Sequence, residues 1–167
     1  FSKAGYCELA GALPFDFGYE ERGLLMLYKS RETALEEMQT AELARAHGLE
    51  AQVLDAREVQ ALEPDVKVDA LGGVYFPGDA HLAPQLLMNG LLKHLPIMGV
   101  RLVDGATVEN FEMKHGQLSR VFVSNGEAVA GDEFVVATGS WSGTLLQALG
   151  IYMPMQAGKG YSFTLSG

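Results

Sequence analysis

The clearest pattern in the chain is an apolar, β-branched run that leads into a helical apolar period. Residues 133–138 (EFVVAT) predict a strand that ends at Gly139. Ser140 and Ser142 are candidate caps for a short Leu-rich helix that stops at Gly150. The pattern therefore predicts a strand, a tight turn and a helix. An ordinary βα turn has this pattern, and so does a turn whose helix N-terminus faces an anionic ligand.

Three strands are predicted in the first half of the chain, from alternating or continuous apolar residues at 15–19, 24–28 and 72–76. The run at 24–28 contains no charged position, so we expect this strand to be covered on both faces. Glycines and Pro14 interrupt the pattern of residues 1–22, so no long element is expected there.

Three helices are predicted between and after these strands. The first spans 30–47, and the second ends before Pro64. Candidate capping boxes open these two helices, at Thr33–Glu36 and Asp55–Glu58. The third helix begins at Pro84, and we expect it to be mostly buried along a stripe formed by Leu87, Leu91 and Leu95.

From residue 99 onward the apolar period changes from helical to strand-like. Strands are predicted at 100–103, 107–113, 118–124 and 127–130. Turns at His115-Gly116 and Asn125-Gly126 join the last three into an antiparallel meander that leads into the strand at 133–138. A further alternation predicts a strand at 161–165. Antiparallel strands beside separate helices give the fold class α+β, with a mixed or antiparallel sheet.

Composition and charge narrow the classes of partner. The 167 residues are 48% hydrophobic and 20% charged, as in a globular protein. The formal net charge of −9 argues against nucleic acid and anionic membrane surfaces as partners. A single cysteine gives no disulfide framework, and no apolar run is long enough to span a membrane. We therefore expect a cytoplasmic protein, with peripheral attachment to an inner membrane left open.

Several common site patterns are missing from the sequence. No Gly-x-Gly-x-x-Gly stretch joins a strand to a helix, so the usual dinucleotide loop is not present. A nucleophile elbow would need Ser at the position of Trp141. The four histidines are scattered, and with one cysteine they give no spacing typical of metal ligands. No metal site is predicted.

Three motifs together carry a resemblance to a known family. They are Ala137-Thr138-Gly139-Ser140-Trp141-Ser142, the stretch Gly158-Lys159-Gly160-Tyr161-Ser162 after Pro154, and Gly78-Asp79-Ala80-His81 followed by Pro84. The chain resembles the FAD-dependent amine and amino-acid oxidoreductases of the D-amino-acid oxidase superfamily. Within them it is most similar to the D-amino-acid dehydrogenases, whose corresponding strand also carries Lys-Gly-Tyr-Ser.

The resemblance implies FAD as cofactor and two partial domains. It assigns residues 10–78 and 151–167 to a substrate-binding domain, and residues 79–150 to part of an α/β FAD-binding domain that includes the meander. It also implies that the pyrophosphate loop precedes Phe1 and that a further segment follows Gly167. The chain alone is then expected to be an inactive fragment, and its uncovered apolar surface is expected to cause self-association.

The resemblance implies cofactor contacts at five positions. The backbone of Val108 would contact the adenine, and Trp141 would lie near the flavin edge. Ala137, Thr138 and Gly139 would let the backbone approach the ribityl and pyrophosphate groups, because small residues are needed where a chain passes a ligand closely. Val108 and Trp141 could equally be ordinary core residues, a reading that the sequence leaves open.

Substrate contacts are expected from Tyr75, His81, Lys159 and Tyr161, because a phenol or a cation can bind a carboxylate and a histidine titrates near neutral pH. A structural role is the alternative for each. In the family a hydride passes from the substrate Cα to the flavin, so no catalytic side chain is required from this chain. The implied function is oxidation of the Cα–N bond of small-molecule D-amino acids.

Three alternatives to this function stay open at the level of sequence. Two lie in the same superfamily: a glycine- or sarcosine-type amine oxidase, and a hydroxy-acid dehydrogenase. The third is a binding or interaction domain that keeps the fold without a flavin. Lys159 stands where many relatives carry an arginine, which favours the dehydrogenase branch.

Overall fold

The computed structural model of this chain describes residues 2–163. These residues divide into two compact units, one that ends at Arg101 and one that begins at Leu102, and each unit is described by itself below. The described residues contain five α-helices and two three-stranded antiparallel sheets, which confirms the α+β class. No helix in the described range has both the length and the apolar character needed to cross a membrane.

The first unit contains four helices and one sheet. The helices are α1 (Ser2–Ala12), α2 (Arg31–Ala46), α3 (Ala56–Leu62) and α4 (Pro84–Ile97). The strands are β1 (Leu24–Tyr28), β2 (Gln52–Asp55) and β3 (Gly72–Phe76), in the order β1-β3-β2. The predicted strands at 24–28 and 72–76 are confirmed, and β2 is an element that the apolar pattern did not predict. In this register Leu24 lies opposite Phe76, and Gln52 lies opposite Tyr75.

The core of the first unit lies between α2 and the sheet. Its buried cluster consists of Tyr28, Ala41, Ala51 and Val74. Small alanines on α2 let the helix approach the central strand β3, where Val74 is fully buried. Among the described helices, only α2 and α3 pack on this sheet. Consequently Leu24, Met26 and Leu27 remain exposed, and the expectation that β1 is covered on both faces is wrong.

The observed helix cap agrees with the sequence-based prediction in α3 and differs from it in α2. The backbone N–H groups of Arg57 and Glu58 both donate to Asp55 Oδ1 at 2.8 Å, and the Glu58 carboxylate accepts from the Asp55 N–H, so the second capping box is confirmed. For α2 the N-cap is Ser30, whose Oγ accepts from the Thr33 N–H at 3.1 Å. The predicted Thr33–Glu36 box is wrong because a better cap lies three residues earlier.

The N-terminal region differs from the expectation. Residues 2–12 form a helix, because the three alanines and Leu9 of this stretch outweigh a cost of about 1 kcal/mol for each interior glycine. Residues 15–19 form no strand, because the Gly18 N–H donates to Asp16 Oδ1 at 2.8 Å and Gly18 has φ +66. Both features turn the backbone away from an extended path.

Helix α4 begins at Pro84 as predicted, but it is not mostly buried. Leu87 is its one buried residue, whereas Leu86, Met88 and Leu92 are exposed. The helix packs on loop residues rather than on another element, and Gly90 lies directly against the ring of Phe15. A helix supported by a loop covers only a narrow stripe of its own surface.

The second unit contains the predicted meander. Its strands are β4 (Val108–Lys114), β5 (Gln117–Val123) and β6 (Ala128–Ala130), in the order β4-β5-β6. The turn at Asn125-Gly126 is confirmed: the Gly126 N–H donates to the Val123 carbonyl at 2.9 Å, and the Glu127 N–H donates to Asn125 Oδ1 at 3.0 Å. A 3₁₀ turn (Gly139–Trp141) then leads directly into α5 (Ser142–Gln147).

Two predicted strands are absent from the described residues. Residues 100–103 and 133–138 form no ladder, although their composition favours strands. Strand structure needs a hydrogen-bonded neighbour as well as β-branched residues, and no described strand pairs with either segment. Residues 161–163 are not a strand either, and residues 164 and 165 of the predicted final strand lie outside the described residues.

Candidate functional site

A cavity of about 550 Å³ in the second unit brings three of the predicted cofactor contacts together. This volume is in the range of about 300–1,000 Å³ that is typical of small-molecule sites. Val108, Thr138 and Trp141 lie in its wall. The complete lining is Ala106, Thr107, Val108, Thr138, Trp141 and Leu145.

One wall of this cavity is the entrance to the meander. The Thr107 N–H donates to Ser124 Oγ at 3.0 Å, and the Thr107 carbonyl accepts from the Ser124 N–H at 2.9 Å. These two bonds hold the start of β4 against the end of β5, so that Val108 lies in a fixed place opposite Val123. Valine suits this strand position, and its side chain is only half-buried.

The 3₁₀ turn forms another part of the wall. The Trp141 N–H donates to the Thr138 carbonyl at 3.2 Å, which closes the turn. Gly139 has φ +57, a conformation that glycine adopts without steric cost. The turn presents the indole of Trp141 outward, with 74% of the residue exposed. The core-anchor reading of this tryptophan is therefore wrong within the described residues.

Ala137 and Gly139 flank Thr138 but do not line the cavity. Sequence reasoning missed Ala106, Thr107 and Leu145. A sequence signal exists for two of these three residues, because Thr107 directly precedes Val108 and Leu145 lies one helical turn after Trp141.

The six lining residues are apolar apart from two threonine hydroxyls, and none of them titrates near neutral pH. Such a wall can hold a ring system by stacking and by backbone contact, and it can donate one or two hydrogen bonds. It cannot supply a general acid or base.

Two of the predicted substrate residues meet in the first unit. Tyr75 and His81 line a cavity of about 530 Å³ together with Arg22, Glu63 and Asp65. The Tyr75 hydroxyl donates to the Arg22 carbonyl at 2.9 Å. This bond fixes the phenol at the cavity rim, and its oxygen keeps a lone pair that can accept from a ligand.

Gly23 is what lets the Tyr75 ring lie there. It has φ +80, and a Cβ at this position would come 2.5 Å from the Tyr75 ring and 2.8 Å from the Phe76 carbonyl oxygen. Only glycine satisfies both the backbone conformation and the close approach.

The loop that carries His81 is held by backbone bonds. Glu20 and His81 form an isolated bridge with two N–H···O bonds of 2.9 Å, and the Gly23 N–H donates to the Asp79 carbonyl at 3.0 Å. His81 Nε2 lies 4.0 Å from Glu20 Oε2, which itself pairs with Arg22 Nε at 2.6 Å. The imidazole is thus attached to a fixed loop at the cavity edge.

A charged cluster ties α1 to the same loop. Lys3 Nζ lies 2.8 Å from Glu21 Oε2 and donates to the Gly78 carbonyl at 2.9 Å, and the Tyr19 hydroxyl donates to Glu21 Oε1 at 3.1 Å. The bond to Lys3, followed by the bond from Tyr19, lowers the pKa of Glu21. The bond to Glu21 raises the pKa of Lys3, and desolvation followed by that same carboxylate raises the pKa of Tyr19.

The other two predicted substrate residues lie together in the second unit. Lys159 Nζ is 5.4 Å from the centre of the Tyr161 ring, a cation–π distance, and Tyr161 is exposed. The structure thus pairs Tyr75 with His81, and Lys159 with Tyr161. Within residues 2–163, no three histidine, cysteine or acidic side chains cluster as metal ligands would.

Comparison with known proteins identifies one family. The sequence model described as FAD dependent oxidoreductase (DAO) matches residues 3–167. A D-amino acid dehydrogenase of Methylobacterium sp. (strain 4-46) is 29% identical over 168 residues, which is 99% of this chain and 40% of that protein. A D-amino acid dehydrogenase of Xanthobacter autotrophicus is 32% identical over 88% of this chain and 36% of its own length. The chain therefore spans about 40% of the curated relatives it matches.

The solved structures lead to the same family. Glycine oxidase from Geobacillus kaustophilus superimposes with a TM-score of 0.77 at 25% identity, over 89% of this chain and 41% of the oxidase. The similarity extends over nearly all of the chain, so it includes both units.

Proposed function

We propose a function that proceeds from one premise: the chain belongs to the DAO family of FAD-dependent oxidoreductases. The proposal is that the protein containing this chain oxidises the Cα–N bond of D-amino acids. FAD, the cofactor of the family, supplies the acceptor for the hydride that leaves the substrate Cα. The names of the relatives from Methylobacterium and Xanthobacter support the D-amino-acid substrate class.

The observation that carries this proposal is the 550 Å³ cavity in the second unit. Its walls fit part of a flavin dinucleotide, because they combine an exposed indole, apolar side chains and two threonine hydroxyls. We propose that the backbone of Val108 contacts the adenine and that Trp141 lies near the flavin edge. Ala137, Thr138 and Gly139 would provide the close approach of backbone to the ribityl and pyrophosphate groups.

For the substrate we propose two groups of contacts. Lys159 and the phenol of Tyr161 are suited to a carboxylate, since one offers a cation and the other a hydrogen-bond donor. Within the first unit, Tyr75 and His81 are the proposed substrate contacts, through a phenol and an imidazole that line the 530 Å³ cavity. The assignment of residues 10–78 and 151–167 to a substrate domain, and of 79–150 to the FAD domain, stays a prediction.

A second candidate function is amine oxidation of the glycine-oxidase type. The TM-score of 0.77 with glycine oxidase from Geobacillus kaustophilus favours it. The two candidates share the cofactor and the hydride chemistry and differ in the side chain that the substrate site accepts. They are therefore distinguished by substrate rather than by spectrum.

The test is a visible spectrum of the complete gene product, recorded before and after anaerobic addition of D-alanine, other D-amino acids, glycine and sarcosine. Flavin bands that bleach with D-amino acids support the proposal. Bleaching with glycine or sarcosine alone supports the second candidate. A purified protein without flavin bands that takes up no added FAD would contradict both and leave a binding domain.

A matched pair of lysine variants tests the carboxylate contact. Lys159→Gln is expected to raise KM for the amino acid with a smaller change in kcat, because the cation is proposed to bind ground state and transition state alike. Lys93→Gln removes a surface lysine of α4 and should change neither constant. Equal kinetics for the two variants would remove Lys159 from the proposed site.

A further inference from the structure

Ser142 is the one buried polar residue among the described residues, with 6% of its surface exposed. The Ser142 hydroxyl forms a hydrogen bond of 3.0 Å with the Thr138 hydroxyl. Thr138 is exposed and lines the 550 Å³ cavity, whereas Ser142 does not reach the cavity. The pair therefore connects a buried position to the wall of the proposed cofactor site.

The number of hydroxyl protons indicates which of the two residues donates the hydrogen bond. Two hydroxyls 3.0 Å apart share one hydrogen bond, so one donates and the other keeps its own proton for another partner. A buried hydroxyl proton without an acceptor is costly, whereas an exposed one can donate to water or to a ligand. The favoured arrangement has Ser142 as the donor and Thr138 Oγ1 as the acceptor.

We propose that Ser142 is a positioning residue for the cofactor site, an inference that rests on the proposed function. By donating to Thr138 Oγ1, it leaves the Thr138 O–H free to donate into the cavity, toward an acceptor atom of bound FAD. Such acceptors are the phosphate oxygens, the ribityl hydroxyls and the ring carbonyls or nitrogens. Ser142 itself touches no cofactor atom and acts only through Thr138.

The local backbone supports a fixed pair. The 3₁₀ turn and the first turn of α5 place residues 138 and 142 on the same face, about one helical turn apart. A Cβ on the next residue, Gly143, would come 2.9 Å from the Met153 carbonyl oxygen, so the start of α5 lies directly against the following segment. This close contact keeps the helix from rotating Ser142 away from Thr138.

The experiment measures the dissociation constant of FAD in the complete gene product, after removal of the flavin, by absorbance titration. Ser142→Ala and Thr138→Val are each expected to weaken FAD binding by about 3- to 10-fold, the effect of one oriented hydrogen bond. In the Thr138→Val background, Ser142→Ala should add almost nothing. Thr138→Ser keeps the hydroxyl and should retain most of the affinity.

Ser140→Ala is the matched control, since Ser140 lies two residues away and outside the lining of this cavity. It should leave the FAD affinity unchanged. If Ser142→Ala weakens binding equally in the wild-type and in the Thr138→Val background, Ser142 acts through stability alone and the inference is overturned. If wild-type protein binds no FAD, the proposed function fails first, which distinguishes the two outcomes.

Discussion

The two units of this chain differ in how far their own contacts fix their candidate residues. In the first unit, Tyr75 is held by a hydroxyl bond to Arg22 and by the packing of its ring on Gly23. Its neighbour in β3, Val74, is fully buried. In the second unit, Val135 and Trp141 are 90% and 74% exposed, and the segment 133–138 pairs with no described strand.

This difference shows two ways of building a site. The first unit fixes Tyr75 and the loop that carries His81 by hydrogen bonds and close packing among its own residues. The geometry of this cavity edge is therefore a property of the unit. The second unit fixes the cavity wall by the meander and the 3₁₀ turn, but it leaves the apolar side chains beside that wall uncovered. Substitutions of the same chemical kind should therefore have unequal effects in the two units.

The largest difference in stability loss between the two units is expected for glycine-to-alanine substitutions. Gly23→Ala combines positive-φ strain with a Cβ that meets the Tyr75 ring and the Phe76 carbonyl, so we expect it to destabilise the first unit by about 3 kcal/mol. Gly139→Ala has positive φ with no atom within 4 Å, so about 1 kcal/mol is expected in the second unit. Urea unfolding of this chain measures both values.

Two signals separate the units in that measurement. Trp141 is the one tryptophan of the chain, so its fluorescence follows the second unit. Most of the helix lies in the first unit, which far-ultraviolet circular dichroism follows. Equal losses for the two alanine variants would contradict the close packing of the Tyr75 ring on Gly23.

A pair of valines gives the next largest effect. Val74→Ala removes two methyl groups from a fully buried position, and we expect a loss of about 2 kcal/mol in the first unit. Val135→Ala changes an exposed side chain and should stay within about 0.5 kcal/mol in this chain. A similar loss for Val135→Ala would mean that the second unit covers this residue in solution and would break the comparison.

The local signals in the sequence predicted most elements, because they depend on neighbouring residues. The Asp55–Glu58 capping box, the start of α4 at Pro84 and the meander turn at Asn125-Gly126 are all confirmed. Each is defined by two to four residues whose backbone preference decides the structure. The helix at 2–12 was not predicted, because its two glycines are weak helix formers, although three alanines and Leu9 favour the helix.

The signals that depend on distant partners failed. β-branched composition predicted a strand at 133–138, but strand structure needs a neighbour that the described residues do not supply. The predictions of burial were wrong for the same reason, since β1 and α4 expose apolar residues that their sequence patterns predict to be buried. For the candidate site, the family resemblance led to Val108, Thr138 and Trp141, whereas the contact of Ser142 with Thr138 needed the three-dimensional turn.

Helix caps give a smaller effect with the same contrast. Asp55→Ala removes the acceptor of two backbone N–H groups at the start of α3, and we expect a loss of about 1 kcal/mol in the first unit. At the start of α5 no side chain caps the helix, so Ser140→Ala should change the stability of the second unit by less than about 0.5 kcal/mol. Circular dichroism and Trp141 fluorescence again report the two units separately.

The smallest expected effect is electrostatic and depends on pH. Lys3 and Tyr19 lower the pKa of Glu21 in the folded state below its ordinary value of 4.5. A depressed pKa gives stability that is fully present above pH 4.5 and is lost as the pH falls through the lower folded value. Glu21→Gln should therefore reduce the stability of the first unit at neutral pH and converge with wild type in acid. Because the pair is exposed, the difference should also shrink at high salt.

Glu8→Gln provides the control for that experiment, because it removes an exposed carboxylate from α1 without touching the Lys3 contact. Urea midpoints of the three proteins between about pH 3 and pH 8 make the comparison. A stability difference between Glu21→Gln and wild type that persists unchanged in acid would show that the substitution acts through packing. The cluster would then join α1 to the 78–81 loop by shape rather than by charge.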